Sequence, residues 1–428
     1  MPFRPYPPLG PSLLGYDPFS DLPQKHLARL VDRVVEATVE VKPWPDQPGQ
    51  PPYHPHLLLK VLILAYATGQ RSSRQIERLC EENMAFRFVT RGDTPSHSVI
   101  CAARTNLQNE LETCWNTMLT VADKKGMHRV GRIDVDSTKI RANVSIDSVV
   151  RQSDYDRFLP ILKEILAEAQ RQDTQEDAEI MGEGRHKKWL ECHSFEVAVD
   201  AGLLVAAQSS QSGPDNGRLL GLVSAAQEQE NSPLTDVTAD SGYFGSDNLI
   251  ELESQGILTC IPDSFTACDL RKELPLGSTR PGKTDVVPMT YDPDRDCYVC
   301  PENKILKLHG EQKHVAQTVR MYRAVSDCTD CPIRPQCMTN LSGKRRYLRV
   351  GIHQERIRAM TERCNEPEHR KRYHNRGKNV ETIFAFSRTV LGFNRWMVRT
   401  KAKVAAEASL LAAAYQIRKL HTAAQRMT

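Results

Sequence analysis

Along the first quarter of the chain, apolar positions recur at helical spacing. Leu27, Leu30, Val31, Val34 and Val35 lie three and four residues apart and predict an amphipathic helix within residues 22–39. The run WPDQPGQPPYHP ends it, because proline fixes φ and offers no backbone N–H. Residues 57–67 are apolar almost without interruption and predict a buried helix. Gly69, Gln70, Arg71 and Ser72 then form a turn, and Ser73 is placed to cap a second helix that ends near Glu81. Two helices joined by a short glycine turn are compatible with a helix-turn-helix presenting Arg71 and Arg74 to DNA, although any small helical bundle has such corners.

From Gly131 the period shortens. Residues 132–140, 195–199 and 203–208 read as strands, 219–228 as a helix, 234–239 as a strand, 247–255 as a helix and 257–261 as a strand. Three strands followed by alternating helix and strand describe a mixed α/β sheet. Residues 154–185 interrupt it with a polar helix, whose face carries Phe158, Leu159, Ile161, Leu162, Ile165 and Leu166, and then a flexible acidic stretch. Residues 264–345 break the alternation again, and helices resume from about 351 to the end. The last of them, 402–420, packs through Val404, Leu410, Leu411, Ala414 and Ile417. No internal repeat is evident.

With 428 residues, 40% of them hydrophobic, the chain is long enough for several globular domains. The longest apolar stretches, 57–67 and 410–415, are too short to span a bilayer, and no secretory segment opens the sequence, so no membrane partner and a cytoplasmic location are expected. A net charge of +4 is too small to demand a polyanionic partner, but its distribution is uneven: basic residues far outnumber acidic ones over 344–403, whereas 164–183 is acidic. That basic segment fits a phosphate backbone; a solvated helical surface is the alternative.

Of 12 cysteines, seven are scattered as buried, reduced residues would be, while five crowd between 297 and 337. Cys297-Tyr-Val-Cys300 and Cys328-Thr-Asp-Cys331 are two C-x-x-C corners, each able to put two thiolates on one metal, with Cys337 able to replace one ligand. A structural Zn²⁺ that folds an otherwise polar insert is the preferred reading, ahead of an iron–sulfur cluster or free thiols.

Two strand-borne aspartate positions stand where metal-dependent chemistry is built, and a two-metal site requires a third carboxylate. In Gly131-Arg-Ile-Asp-Val-Asp-Ser-Thr-Lys-Ile140, Asp134 and Asp136 share a strand face, so alternation does not choose between them. Asp240 ends the strand Val237-Thr-Ala-Asp240 and leads into the turn Ser-Gly-Tyr-Phe-Gly. Each aspartate has the alternative role of a helix cap or turn residue. Glu381, in Asn379-Val-Glu-Thr-Ile-Phe-Ala-Phe-Ser-Arg388, is placed on one side of a helix with Phe384 and Arg388; its alternative is a first-turn glutamate complementing the helix dipole. Phe393 and Trp396 fit either the core or stacking on an unpaired base.

Taken in order, HPHLLLKVLILAYATGQRSSRQIE, IDVDSTKIRAN, FEVAVDAG, VTADSGYFGSDNL, the cysteine pairs, and NVETIFAFSRTVLGFNRWMVRTKAKVAAEASLLAAAYQIRKL resemble the insertion-sequence DDE transposases. The resemblance is to those with an InsH-type helical N-terminal domain, a ribonuclease-H-like core and a Cys-rich insert, and it runs from about His54 to Leu420. It implies Asp136, rather than Asp134, with Asp240 and Glu381 as the catalytic acids. Ser137 replaces the glycine common in that motif. Tyr373 and Arg376 only partly meet the tyrosine-arginine-glutamate-lysine signature of related groups, because Arg376 sits one place farther from Glu381 and Arg388 stands for the lysine.

The implied fold is an α/β core of ribonuclease-H type with an all-α N-terminal domain, a Cys-rich insert and C-terminal helices. Its expected divisions are an arm and linker at 1–55, a helical DNA-binding domain at 56–125, core at 126–263, metal-binding insert at 264–345 and basic helices completing the core at 346–428. The implied activity is cleavage at insertion-sequence ends and strand transfer into target DNA, using two Mg²⁺ or Mn²⁺ ions held by the three acids. Arg71, Arg74, Lys139, Arg376 and Arg388 are the expected DNA contacts. The implied partners are double-stranded DNA, as transposon ends and target, and further copies of the chain in a dimer or larger synaptic complex of a bacterial, nucleoid-associated protein. A metal-dependent nuclease without strand transfer and a zinc-containing DNA-binding protein are the rival functions.

Overall fold

The computed structural model describes residues 3–4, 19, 21–40, 51–127, 131–143, 179–183, 188–210, 215–229, 233–276, 278, 289–292, 294–313, 318–338 and 342–426. The chain divides into two units, residues 1–238 with 375–428 and residues 239–374. Among the described residues no helix is long and apolar enough to cross a membrane.

The first unit opens with helices α1 (Leu27–Thr38), α2 (Pro55–Ala67), α3 (Ser73–Glu82), α4 (Met84–Thr90), α5 (His97–Asn106) and α6 (Gln108–Lys124). Having almost no polar side chain, α2 is buried nearly all round. Its single cation, Lys60, is 0% exposed and is neutralised by Asp32 at 2.7 Å and by Glu36. The next helix begins at Ser73 itself, with Ser72 as its flanking residue, one place earlier than the capping pattern predicts. Gly69 supplies the left-handed φ of +77° at the corner, where a Cβ would stand 2.9 Å from the Val390 carbonyl oxygen.

The sheet of this unit runs β2 (Glu179–Glu183), β3 (Lys188–Asp200), β1 (Arg132–Arg141), β5 (Asp236–Ala239), with β4 (Leu203–Ser210) also on β3. β1 and β3 are antiparallel, Asp136 opposite Val197. The strand at 179–183 falls where the acidic pattern predicts a flexible stretch; ladder bonds to β3 override the weak side-chain signal. The polar helix predicted through Phe158, Leu162 and Leu166 lies outside the described residues. α7 (Leu219–Gln229) follows β4, and α13 (Lys401–Arg426) packs against α2, α6 and β4, so its apolar stripe joins the helical bundle and the sheet in one core. α12 (Pro367–Thr389) contributes its residues from 375 onward to this unit.

The second unit contains α8 (Ser246–Ser254), β6 (Leu258–Cys260), α9 (Ser264–Arg271), α10 (Arg334–Cys337) and α11 (Gln354–Asn365). Across the expected cysteine-rich insert and past its boundary at residue 345, into the span expected as helices, it also forms an antiparallel sheet: β7 (Thr290–Asp292), β8 (Cys297–Val299), β9 (Ile305–Lys313), β10 (Thr318–Ala324) and β11 (Tyr347–Gly351), in the order β11-β10-β9-β8-β7. The sheet has an apolar cluster of its own, made by Tyr298, Cys300, Leu306, Tyr322, Ala324, Cys328 and Met338. The architecture is thus mixed α/β, as the alternating pattern predicts.

Candidate active site

β1 sends successive side chains to two faces. Ile133 and Val135 are fully buried on one face, while Asp134, Asp136 and Thr138 share the other. Three side chains of α12 bond to that second face. The Arg376 guanidinium, 8% exposed, donates to Asp136 Oδ2 at 3.0 Å and to the Val135 carbonyl at 3.1 Å. Asn379 Nδ2 donates to Asp134 Oδ2 at 2.9 Å, and Arg388 donates to the Thr138 hydroxyl. The remaining oxygen of Asp136, Oδ1, accepts from the Ser137 backbone N–H at 2.8 Å. Asp136 is half-buried and Asp134 is 6% exposed, so the two aspartates that alternation leaves equivalent differ in burial and partner.

Glu381 lies on the same helix and is exposed. Its carboxylate folds back over Gly377, one turn earlier, where an added Cβ would lie 3.7 Å from Oε1. Arg388 is also exposed, but Phe384, expected on the same side, is 8% exposed and joins the core.

Asp240 belongs to the second unit. It closes β5 and caps the 3₁₀ turn Ser241–Tyr243, accepting from the Ser241 N–H at 2.8 Å. The Tyr373 hydroxyl, from the part of α12 in that unit, reaches it at 3.5 Å. Tyr373 itself is 4% exposed.

The basic residues divide sharply by environment. Arg71 is buried and committed to the fold of the first unit: it donates to the carbonyls of Gly392 and Arg395 and to Glu407 Oε1 at 3.1 Å, and its guanidinium stacks 4.0 Å from the Phe393 ring centroid. The expectation that Arg71 faces DNA is therefore at odds with its packing. A single sequence gives an arginine in a turn no sign that an internal carboxylate waits for it. Arg74 and Lys139 are exposed. Phe393 and Trp396 are core residues, packed edge to face at 5.0 Å between centroids. Asn379 and the partnering role of Asp134 escaped the sequence reading; their only sequence signal is the position of Asn379, two residues before Glu381.

The cysteine-rich residues of the second unit surround a cavity of about 20 Å³, lined by Cys300, Cys328, Cys331 and Cys337 together with Lys304, Arg334 and Arg346. Cys297 is buried but does not line it. Among the described residues no three His, Cys, Asp or Glu side chains are already grouped as a metal site.

Residues 299–421 match the family model described as a transposase DDE domain, and residues 17–106 match a second described as a transposase domain, DUF772. A solved piggyBac transposase synaptic complex with hairpin DNA is similar at 10% identity, over 93% of this chain and 72% of that one, with a TM-score of 0.33. So low a score carries no argument about fold or mechanism. No curated protein matches the chain.

Proposed function

We propose that this chain, an insertion-sequence DDE transposase by its two domain matches, cuts DNA at the element's ends and joins the freed ends to target DNA through Asp136, Asp240 and Glu381. The observation that carries the reading is the polar seam between β1 and α12, where Arg376 grips Asp136 on the helix that also bears Glu381. In this reading the mixed sheet is a ribonuclease-H-like core, and α12 brings the glutamate to it.

The donor set suits a hard divalent cation, because all three groups are carboxylates and Mg²⁺ and Mn²⁺ prefer oxygen. The group is not pre-assembled among the described residues, and both oxygens of Asp136 are engaged. When bound, a metal pair supplies Lewis acidity at the attacking and leaving oxygens. The chain's own contribution is positioning. β1 fixes Asp136 rigidly, and the Ser137 N–H sets the rotation of its carboxylate. Arg376 orients Asp136 before DNA arrives, and its planar fork then suits a scissile-strand phosphate. Arg388, Lys139 and Arg74 are proposed to hold phosphates farther along the strand. An end hydroxyl held in line with a target phosphodiester then completes transfer without a covalent protein–DNA intermediate.

The proposed partners are two DNA ends, target DNA in the bacterial cytoplasm, and a second copy of the chain. A structural Zn²⁺ in the cysteine-rich unit is part of the same proposal.

The test is cleavage of a labelled duplex carrying the element's own end by wild type, Asp136→Asn, Asp240→Asn and Glu381→Gln, with Mg²⁺, Mn²⁺ or EDTA. Metal-dependent nicking by wild type, lost in each variant while DNA binding persists, supports the three-acid reading. Variants that cut as well as wild type refute it. Nicking without joining to a target duplex identifies a nuclease, and binding without any cutting identifies a DNA-binding protein.

A further inference from the structure

Two C-x-x-C pairs invite the assumption that each pair ligates one ion together. The sheet argues otherwise. β8 covers Cys297–Val299, where Cys297 and Tyr298 point to opposite faces, and Cys300 follows it at the turn. Tyr298, one residue on, shares the apolar cluster with Cys300, whereas Cys297 does not belong to it. Cys297 is 2% exposed and is held in the ladder opposite Lys307.

We propose that Zn²⁺ is held by Cys300, Cys328, Cys331 and Cys337, and that Cys297 is a packing residue outside the site. The proposal rests on the zinc reading above and replaces one ligand of the set that motif spacing favours. Four cysteines from two separate loops and one short helix line a single cavity. Its volume, about 20 Å³, admits a water-sized body and excludes an organic ligand.

The backbone around Cys300 is already turned toward its sulfur. The Asn303 N–H donates to the Cys300 carbonyl at 2.8 Å, and the Lys304 N–H donates to Cys300 Sγ at 3.3 Å. Such an N–H···S bond orients the sulfur as a ligand. Cys331 follows Cys328 through a tight turn, its N–H donating to the Cys328 carbonyl at 3.3 Å, and Cys337 ends α10 with its N–H on the Ile333 carbonyl at 2.9 Å. Lys304, Arg334 and Arg346 line the same cavity, and their charge offsets the net −2 of one Zn²⁺ with four thiolates.

Binding is an exchange without redox change. Four S–H bonds break, four S–Zn bonds form and the protons pass to solvent. Among the described residues the thiols line the cavity without being grouped as a metal site, and binding would gather them.

The experiment uses the full-length protein, with zinc content and, after Co²⁺ replacement, the thiolate-to-cobalt charge-transfer absorption as readouts. Wild type should carry one zinc per chain and a four-thiolate band. Cys297→Ser and Cys297→Ala should keep both, the second guarding against an unsatisfied hydroxyl in a buried position. Cys337→Ser should lose about a quarter of the band and bind zinc at least tenfold more weakly. Loss of the band in both Cys297 variants, with Cys337→Ser like wild type and all proteins folded by circular dichroism, overturns the ligand set. No zinc and no charge-transfer band in wild type overturns the zinc reading itself, and a visible iron chromophore would assign the cysteines to a cluster.

Discussion

The guanidinium of Arg376 holds the carboxylate of Asp136 at 3.0 Å, with the two side chains only 10% and 22% exposed. Such a pair is costly to break from one side, because the surviving charge is left in a site that water reaches poorly.

Arg376→Ala should therefore lower unfolding free energy by roughly 3 kcal/mol, read from urea denaturation. On the proposed function end cleavage should fall at the same time, since Asp136 loses its orientation and DNA the phosphate contact proposed for Arg376. A variant as stable as wild type would show that the pair contributes nothing to the fold.

The neighbouring contact, Asn379 to Asp134 at 2.9 Å, ties α12 to β1. Asp134→Ala should cost about 2 kcal/mol, the scale of a hydrogen bond to a buried charge. The exchange Asp134→Asn with Asn379→Asp keeps an amide-to-carboxylate bond and should restore much of that stability. Failure of the exchange to improve on either single variant, in a double-mutant cycle, would remove Asp134 from this role.

Arg71 and Arg74 sit three residues apart and should behave oppositely. Arg71→Ala strands Glu407, which is 0% exposed and also accepts from Tyr66 at 2.6 Å, so it should destabilise by about 3 kcal/mol. Arg74→Ala should leave the melting temperature within a degree or so, as exposed substitutions usually do, and weaken DNA binding with a shallower salt dependence. If Arg71→Ala melts like wild type and only its DNA affinity drops, the buried assignment is wrong.

The first unit should weaken in alkali. Burial pushes the Cys80 thiol from 9.0 up to about 12 and the Cys114 thiol from 9.0 up to about 11. Unfolded thiols ionise near the ordinary value while the native ones keep their protons, so this stability is whole below pH 9 and is lost as pH rises toward the native values. Burial raises Tyr66 well above its ordinary range too, which adds a loss at higher pH. From pH 8 to pH 10 the two thiols together should cost roughly 2–3 kcal/mol, at about 1.4 kcal/mol per unit and thiol once the unfolded thiols ionise. Cys80→Ala should halve that drop. Equal urea midpoints at both pH values in wild type would contradict it.

Periodicity along the chain determined most of the elements. The all-apolar run of α2, the strand at Asp136, the alternation from Leu219 to Cys260 and the final helix are local patterns, and backbone hydrogen bonding converts a local pattern into an element of one type. The sequence also marked Asp136, Asp240 and Glu381 as chemically suited and the five clustered cysteines as unusual. Tertiary structure alone decided which partners they meet. Arg71 and Arg74 look alike in the sequence, but a carboxylate 336 residues away takes one and leaves the other in solvent. Asp134 and Asp136 have the same strand parity, which only the family resemblance separates in the sequence, and in the fold they meet different side chains of α12. Cys297 and Cys300 form a motif on paper, yet only Cys300, at the turn after β8, lines the cavity. Burial and charge pairing depend on residues distant in sequence, and a single chain of letters does not carry those distances.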